Sequence, residues 1–186
     1  AASDPGDMTF FVSSEGSGAR GGNWGGLAGA DAFCQELAMA AGVGDHTWHA
    51  YLSTSAENAR DRIGPGPWHN FAGDMVAADV ESLHADGISN GDPQHVLTEY
   101  GEEVDVGDDY DILTGSNEDG TAYPERTCND WTSDTSDFEA RVGHSHPPND
   151  PENSSSWNSA HSTNGCSEED FLSDACRGRI YCFAID

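Results

Sequence analysis

The stretch Cys176-Arg177-Gly178-Arg179-Ile180-Tyr181-Cys182-Phe183-Ala184-Ile185-Asp186 holds two of the chain's five cysteines and a compact run of β-forming residues. Ile, Tyr and Phe favour extended structure, so the sequence predicts a closing strand over residues 178–185. A cysteine in this strand can only be paired with a residue far upstream. The stretch therefore predicts a fold that is closed by joining its end to its beginning.

The five cysteines are well separated and form no Cys-x-x-Cys pair: Cys34, Cys128, Cys166, Cys176 and Cys182. This spacing argues against a zinc ribbon and favours disulfides formed in an oxidising compartment. The odd number leaves one thiol over. The start at Ala1-Ala2-Ser3-Asp4 suits a mature N-terminus left after signal cleavage, and no apolar run approaches the roughly 20 residues of a membrane span. We therefore expect a secreted or cell-surface protein without membrane insertion.

Charge is the most unusual feature of the composition. The chain carries 34 acidic residues against 7 arginines and no lysine, for a formal net charge of −27. Such a surface repels polyanions, which argues against nucleic acid or a bare anionic membrane as partner. The acids are spread along the chain, as in a solvated surface, and a halophilic or marine setting would favour them because salt screens their repulsion.

Local patterns predict an α+β protein. Short β-rich runs lie at residues 8–12, 47–53, 111–115, 127–132 and 138–142, and helical spacing of apolar residues runs from Leu27 to Ala41, with a second short helix at residues 58–63. Cys34 falls on the apolar face of the first helix. The whole chain, residues 1–186, is predicted to be one domain with an N-terminal arm over residues 1–7. Long loops are predicted at about residues 64–109 and 144–167, where binding function tends to lie.

Five stretches carry a resemblance to a known family: residues 23–31 (NWGGLAGAD) leading into Cys34, 49–53 (HAYLS), 113–120 (LTGSNEDG), 128–132 (CNDWT) and 180–183 (IYCF). In this order they resemble the C-type-lectin-like fold. The closer resemblance is to the endostatin domain of collagens and to its uncharacterised bacterial relatives on secreted or surface proteins. It implies two short helices packed on a mainly antiparallel sheet, with long loops and disulfide staples.

The resemblance also implies two nested disulfides. One would join Cys34 to Cys182, and the other would join Cys128 to a cysteine in the loop before the last strand. Cys176 lies closer to the family's usual spacing than Cys166 does, so we expect the pair Cys128–Cys176. Cys166 would then be free or available for an intermolecular bond. Each bond would contribute roughly 3 to 5 kcal/mol to the free energy of unfolding.

Calcium is the cofactor that the sequence most readily suggests, although none is required. Lectins of this fold hold sugars through Ca²⁺, which prefers carboxylate and amide oxygens. Their sugar-reading motifs, Glu-Pro-Asn or Gln-Pro-Asp followed by Trp-Asn-Asp, are absent. The densest acidic cluster could instead surround one cation: Asp105, Asp108, Asp109 and Asp111. A solvated acidic loop is the alternative interpretation.

Zinc binding and catalysis have weaker support. His144-Ser145-His146 is the best local histidine pair, and His46 with His49 is another, but neither has a third ligand at a defined spacing. Cys166 and His161 are the only candidates for nucleophilic catalysis. Nothing in the sequence supplies the orienting group and oxyanion donors that such chemistry needs. We therefore expect no enzymatic activity.

The function predicted from these patterns is non-covalent recognition or adhesion, with a glycan or an extracellular protein as partner. Exposed aromatic side chains in the long loops would contact this ligand: Trp68, Tyr100, Tyr110 and Trp157. The alternative is a structural subunit of an extracellular or surface assembly. In that case Cys166 or the N-terminal arm would make the contacts for self-assembly.

Overall fold

The computed structural model describes residues 5–88, 93–104, 109–145 and 156–186, and it confirms the α+β class. The helices are α1 (Gly26–Ala41), α2 (Val80–Asp86), the single turn α3 (Cys128–Trp131) and α4 (Glu168–Ser173). The strands are β1 (Phe10–Val12), β2 (Trp48–Ala50), β3 (Trp68–His69), β4 (Met75–Ala77), β5 (Asp111–Leu113), β6 (Arg141–His144), β7 (His161–Ser162) and β8 (Cys176–Ala184).

The predicted closing strand, β8, is the central strand of a six-stranded sheet and pairs with three other strands. It pairs antiparallel with β1 and with β2, and parallel with β5; β6 and β7 then extend the sheet beyond β5 in antiparallel ladders. β3 and β4 form a separate antiparallel pair. The sheet is therefore mixed but mainly antiparallel, as the resemblance implies.

Successive side chains of a strand point to opposite faces of the sheet, and both faces of this sheet carry buried apolar side chains. Phe11 of β1 and Cys182 of β8 belong to one apolar cluster, which α1 covers. Phe10 of β1, with Tyr181 and Phe183 of β8, belongs to a second cluster. The fold therefore buries apolar side chains in two layers despite its low apolar content.

Helix α1 follows the predicted periodicity. Its buried face carries Ala30, Phe33, Cys34, Leu37 and Ala38, and the left-handed Gly42 caps its C-terminus. Cys34 is bonded to Cys182, which confirms the predicted disulfide between the first helix and the last strand. The bond closes a separation of 148 residues.

The second predicted disulfide is wrong. Cys128 is bonded to Cys166, and Cys176 is the buried free cysteine. The reason is that α4 separates Cys166 from Cys176, in a segment before the last strand where no helix is predicted from the sequence. The segment before α4 passes Gly22, whose N–H donates to the Cys166 carbonyl at 2.8 Å. A Cβ on Gly22 would lie 2.4 Å from the Cys128 sulfur, so glycine allows this close approach. Cys176 is held instead in the ladder between β5 and β8.

Other predictions also need correction. The predicted helix at residues 58–63 is only a 3₁₀ turn at Ala59–Asp61, and the predicted strand at residues 127–132 is the helical turn α3. The first long loop contains β3, β4 and α2, and the second contains β7. Residues 1–4 of the predicted arm lie outside the described residues. Among the helices of the described ranges, none combines the length and apolar character needed to cross a bilayer.

Candidate functional site

The four aromatic residues predicted to bind a ligand differ in exposure. Trp68 is fully buried, with its indole N–H donating to the Ala184 carbonyl at 3.0 Å, so the prediction that its side chain is exposed in a loop is wrong. Trp157 is partly buried, and its ring centroid lies 4.8 Å from that of Tyr51. Tyr110 is partly buried too, while Tyr100 is half exposed. The loops therefore do not present these four side chains as a set of exposed rings.

The predicted calcium cluster is only partly within the described residues. Asp105 and Asp108 lie outside them. Asp109 is buried and accepts hydrogen bonds from the Arg179 guanidinium at 2.6 and 2.7 Å. Asp111 is buried against His144 and His161. Two of the four carboxylates thus already have protein partners, and calcium binding by this set stays a prediction.

The most unusual backbone of the described chain is α3, because its turn is left-handed. Cys128, Asn129, Asp130 and Trp131 have φ values of 47°, 55°, 55° and 63°. Asparagine and aspartate tolerate this conformation, whereas a bulky residue such as tryptophan is an outlier in it. Such residues cost of order 1–3 kcal/mol each, and they persist only where the surrounding structure holds them.

Several contacts hold α3 in this conformation. The indole N–H of the buried Trp131 donates to the Ser53 carbonyl at 2.8 Å. The Asp130 carboxylate accepts hydrogen bonds from the Ser55 N–H at 2.8 Å and from the Thr127 hydroxyl at 3.1 Å. Partial burial acts to raise the pKa of Asp130, but the hydrogen bonds from Ser55 and Thr127 outweigh it and lower this pKa. The rigid turn therefore carries an ionised carboxylate.

A surface cavity of about 460 Å³ adjoins this turn. Its wall includes the exposed side chains of Asn129 and Phe138, the latter 41% exposed. Arg126 and Glu139 form an ion pair there, with Nε and Oε2 3.0 Å apart. The cavity thus combines one accessible aromatic ring with hydrogen-bond donors and acceptors. We call it the α3 cavity.

A second group of side chains meets at the end of the sheet formed by β5, β6 and β7. His144 lies opposite Asp111 in the ladder between β5 and β6, with Nε2 3.2 Å from Oδ1. His161 of β7 places its Nε2 3.0 Å from Asp111 Oδ2. The hydrogen bond with Asp111 raises the pKa of His161, despite the opposing effect of burial. We call these three residues the Asp–His–His cluster.

Spacing along the sequence does not group the members of this cluster. It pairs His144 with His146, which lies outside the described residues, and His161 with Cys166 as candidates for nucleophilic catalysis. The catalytic grouping is wrong, because the Cys166 sulfur is bonded to Cys128. The α3 cavity was also missed, since Asn129-Asp130-Trp131 was interpreted as part of a strand. Its one sequence signal is the Asn-Asp pair, which tolerates left-handed backbone.

No model of a protein family matches the chain, and a search of curated proteins found none that is similar to it.

Proposed function

We propose that this chain is a non-catalytic recognition domain that binds a neutral glycan in the α3 cavity. The observation that carries the proposal is the run of left-handed, non-glycine backbone from Cys128 to Trp131 beside that cavity. Strained backbone of this kind clusters at ligand-binding sites, where other contacts fix it. Here the strain holds Asn129 and Asp130 in one geometry before any ligand arrives.

The chemistry of the α3 cavity suits a sugar. The exposed ring of Phe138 offers an apolar face on which the C–H face of a pyranose can stack. Arg126 and Glu139 provide donors and acceptors for hydroxyl groups, and the Asn129 side chain provides both. A net charge of −27 disfavours sulfated or otherwise anionic sugars. A neutral glycan therefore fits better than an acidic one.

Two of the four carboxylates that line the α3 cavity, Asp130 and Glu139, favour binding over hydrolysis; Glu125 and Asp137 are the other two. Glycoside hydrolysis uses one carboxylic acid with a raised pKa and a second carboxylate at a set distance. Hydrogen bonds lower the pKa of Asp130, and Glu139 is paired with Arg126. Neither residue has the environment of a general acid. The proposal therefore keeps the domain non-catalytic.

We also propose that the domain is extracellular, secreted or on a cell surface, and that its fold is C-type-lectin-like and closest to endostatin. The two disulfides support an oxidising compartment. The bond between Cys34 and Cys182 supports the family assignment, since it joins the first helix to the last strand as the resemblance implies.

The test is a glycan array probed with the disulfide-intact protein, followed by calorimetry on the best ligand. Phe138→Ala should weaken binding by about tenfold or more, because a stacking ring is lost. The matched control is Leu172→Ala, since Leu172 is also exposed, at 55%, but does not line the α3 cavity. The proposal fails if no neutral glycan binds, or if Phe138→Ala binds as tightly as the unmodified protein.

One observation counts against the alternative function, a structural subunit of an extracellular assembly. It relied partly on a free Cys166, which is bonded to Cys128, whereas the free Cys176 is fully buried. Size-exclusion chromatography with and without reductant tests this alternative. A 19.7 kDa monomer at all concentrations would count against it, and reversible higher oligomers would favour it.

A further inference from the structure

The geometry points to a binding site for one divalent transition-metal ion at the Asp–His–His cluster, and we infer that Asp111, His144 and His161 are its ligands. The site lies on β5, β6 and β7, and it is independent of the glycan proposed for the α3 cavity. It also differs from the calcium set predicted from the sequence, because two of its three ligands are imidazoles.

Two of the distances within the cluster are close to those between neighbouring ligand atoms of a small metal ion. One nitrogen from each imidazole and one carboxylate oxygen all lie within 4.8 Å of one another. Asp111 Oδ1 is 3.2 Å from His144 Nε2, and Oδ2 is 3.0 Å from His161 Nε2. Bonds of about 2.0–2.1 Å in a tetrahedron place neighbouring ligand atoms about 3.3 Å apart. The side chains therefore need only small rotations to coordinate one ion.

Asp111 has an oxygen that coordination would satisfy. Its side chain is 1% exposed, and its buried Oδ1 accepts no hydrogen bond from the part of the chain that the structure describes. The contact of this oxygen with the His144 ring lacks hydrogen-bond geometry, even though the two atoms are 3.2 Å apart. An underused buried carboxylate oxygen is costly, and a metal ion at this point would offset that cost.

The backbone holds the three ligands on rigid elements. Asp111 and His144 face each other in the antiparallel ladder between β5 and β6. His161 lies in β7, the next strand, opposite Val142 of β6. Sites built on strands are held more accurately than sites built on loops. The cluster is therefore largely formed before an ion binds.

The orientation of His161 also suits coordination through Nε2. Its Nδ1 lies 3.2 Å from the carbonyl oxygen of Ser162, so an N–H at Nδ1 can donate to that oxygen. Without an ion, Nε2–H donates to Asp111 Oδ2 at 3.0 Å; a metal ion would replace that proton and take the Nε2 lone pair. A second hydrogen bond from the distal ring nitrogen to a carbonyl is the usual support of a histidine ligand.

The donor set indicates which ions would bind. Two imidazoles and one carboxylate suit Zn²⁺, Fe²⁺, Co²⁺, Ni²⁺ or Cu²⁺, whereas Ca²⁺ prefers oxygen ligands alone. The His161 side chain is 42% exposed, which gives an ion a path from solvent. Three protein ligands leave a fourth position of a tetrahedral ion for water or for an exogenous ligand.

The test uses Zn²⁺ as probe on disulfide-intact protein stripped of metal by a chelating resin. Calorimetry is run with Ca²⁺ in excess, so that exposed carboxylates are occupied by a harder ion. We expect one Zn²⁺ per chain, and we expect His161→Gln to weaken it at least tenfold. The matched control is His46→Gln, because His46 also contacts an aspartate, Asp186, at 3.2 Å but has no third ligand among the residues that the structure describes. The control should leave Zn²⁺ affinity unchanged.

Co²⁺ substitution provides a second measurement that does not depend on affinity alone. A tetrahedral ion with imidazole ligands gives strong visible absorption, which His161→Gln should abolish while circular dichroism shows the fold intact. His161 is the ligand to replace first, since it is the most exposed of the three. The inference is overturned if Zn²⁺ binds the unmodified protein and His161→Gln equally, if His46→Gln loses as much affinity, or if no stoichiometric site is found.

Discussion

Cys128 and Cys166 are joined by a disulfide across 38 residues, while Cys176 remains a free thiol that is fully buried at the start of β8. Burial raises the pKa of the Cys176 thiol far above its usual range. The thiolate is the reactive form of cysteine, so a thiol of this kind is inert in the folded protein. The chain therefore has a thiol that reports only on unfolding.

The first prediction concerns this thiol. Iodoacetamide should leave the native protein unmodified and should alkylate one cysteine, Cys176, when denaturant is added without reductant. Peptide mapping identifies the alkylated residue. Labelling of Cys166 instead, or a peptide that links Cys128 to Cys176, would contradict the observed pairing.

The second prediction concerns the end of α4. Ala175 follows this helix with φ of 54°, a left-handed conformation that glycine adopts at little cost. Ala175→Gly should raise the free energy of unfolding by about 1 kcal/mol. Chemical denaturation measures the change. Ala32→Gly is the control of opposite sign, because Ala32 is exposed inside α1, where glycine costs about 1 kcal/mol. Destabilisation by both substitutions would show that Ala175 is not strained.

The third prediction concerns the buried ion pair between Arg179 and Asp109. Arg179 also donates to the Ser13 and Ser14 carbonyls, so it links β8 to the end of β1 and to the segment before β5. Arg179→Met should lower the free energy of unfolding by about 3–5 kcal/mol, because the buried Asp109 carboxylate loses its close partner and keeps only the exposed Arg177, 3.7 Å away.

The matched control for this substitution is Arg177→Met. Arg177 also faces Asp109, at 3.7 Å, but its side chain is 56% exposed, and such pairs contribute about 1 kcal/mol or less. Adding Asp109→Asn to Arg179→Met should recover part of the loss, since it removes the buried charge. Equal effects of the two arginine substitutions in urea unfolding would refute the assignment of the buried pair.

The fourth prediction is a pH dependence that originates at His84. Burial lowers the pKa of His84 below its usual 6.5, and its two ring nitrogens contact the Val80 carbonyl and the Tyr51 hydroxyl, each at 2.7 Å. The unfolded chain therefore binds a proton at His84 at a higher pH than the folded chain does. This contribution to stability is fully present above pH 6.5 and is lost as the pH falls through the folded-state pKa.

The measurement compares urea unfolding of the unmodified protein and of His84→Gln at about pH 7.5 and about pH 5. Carboxylates titrate in both proteins, so their effects cancel in the difference. We expect the stability advantage of the unmodified protein to shrink at the lower pH. An advantage that stays constant or grows would contradict a lowered His84 pKa.

The parts of the fold that follow from the sequence are those with strong local signals. Helix α1 has helical spacing over 16 residues and ends at a glycine, and β8 ends in a continuous run of β-forming residues. Periodicity alone predicts that Cys34 lies on the buried face of α1, and the structure places it there. In these elements local preference and tertiary packing favour the same conformation, which is why the prediction succeeds.

The turn α3 shows why other parts could not be predicted. Thr127, Cys128 and Trp131 are residues typical of strands, yet the hydrogen bond from Trp131 to Ser53 and the bond from Cys128 to Cys166 hold this segment in a left-handed turn. Both contacts are remote in sequence. Tertiary contacts therefore override the local preference of these residues.

The Asp–His–His cluster depends on register in the same way. Asp111 faces His144 only because β5 and β6 pair with this alignment, and a shift by one residue would turn one of the side chains to the other face. His161 enters through β7, a strand of two residues that has too little length to show a periodic pattern. Spacing along the sequence therefore gives no sign of the cluster.

The central position of β8 has a consequence for how the chain is made. Ribosomes synthesise proteins from the N-terminus, and β8 is the shared partner of β1, β2 and β5, all of which precede it. A nascent chain must therefore hold these strands without their common neighbour until residues 176–184 have emerged. Only the ladders among β5, β6 and β7 can form earlier, so β1 and β2 gain their partner in the sheet only when β8 is complete.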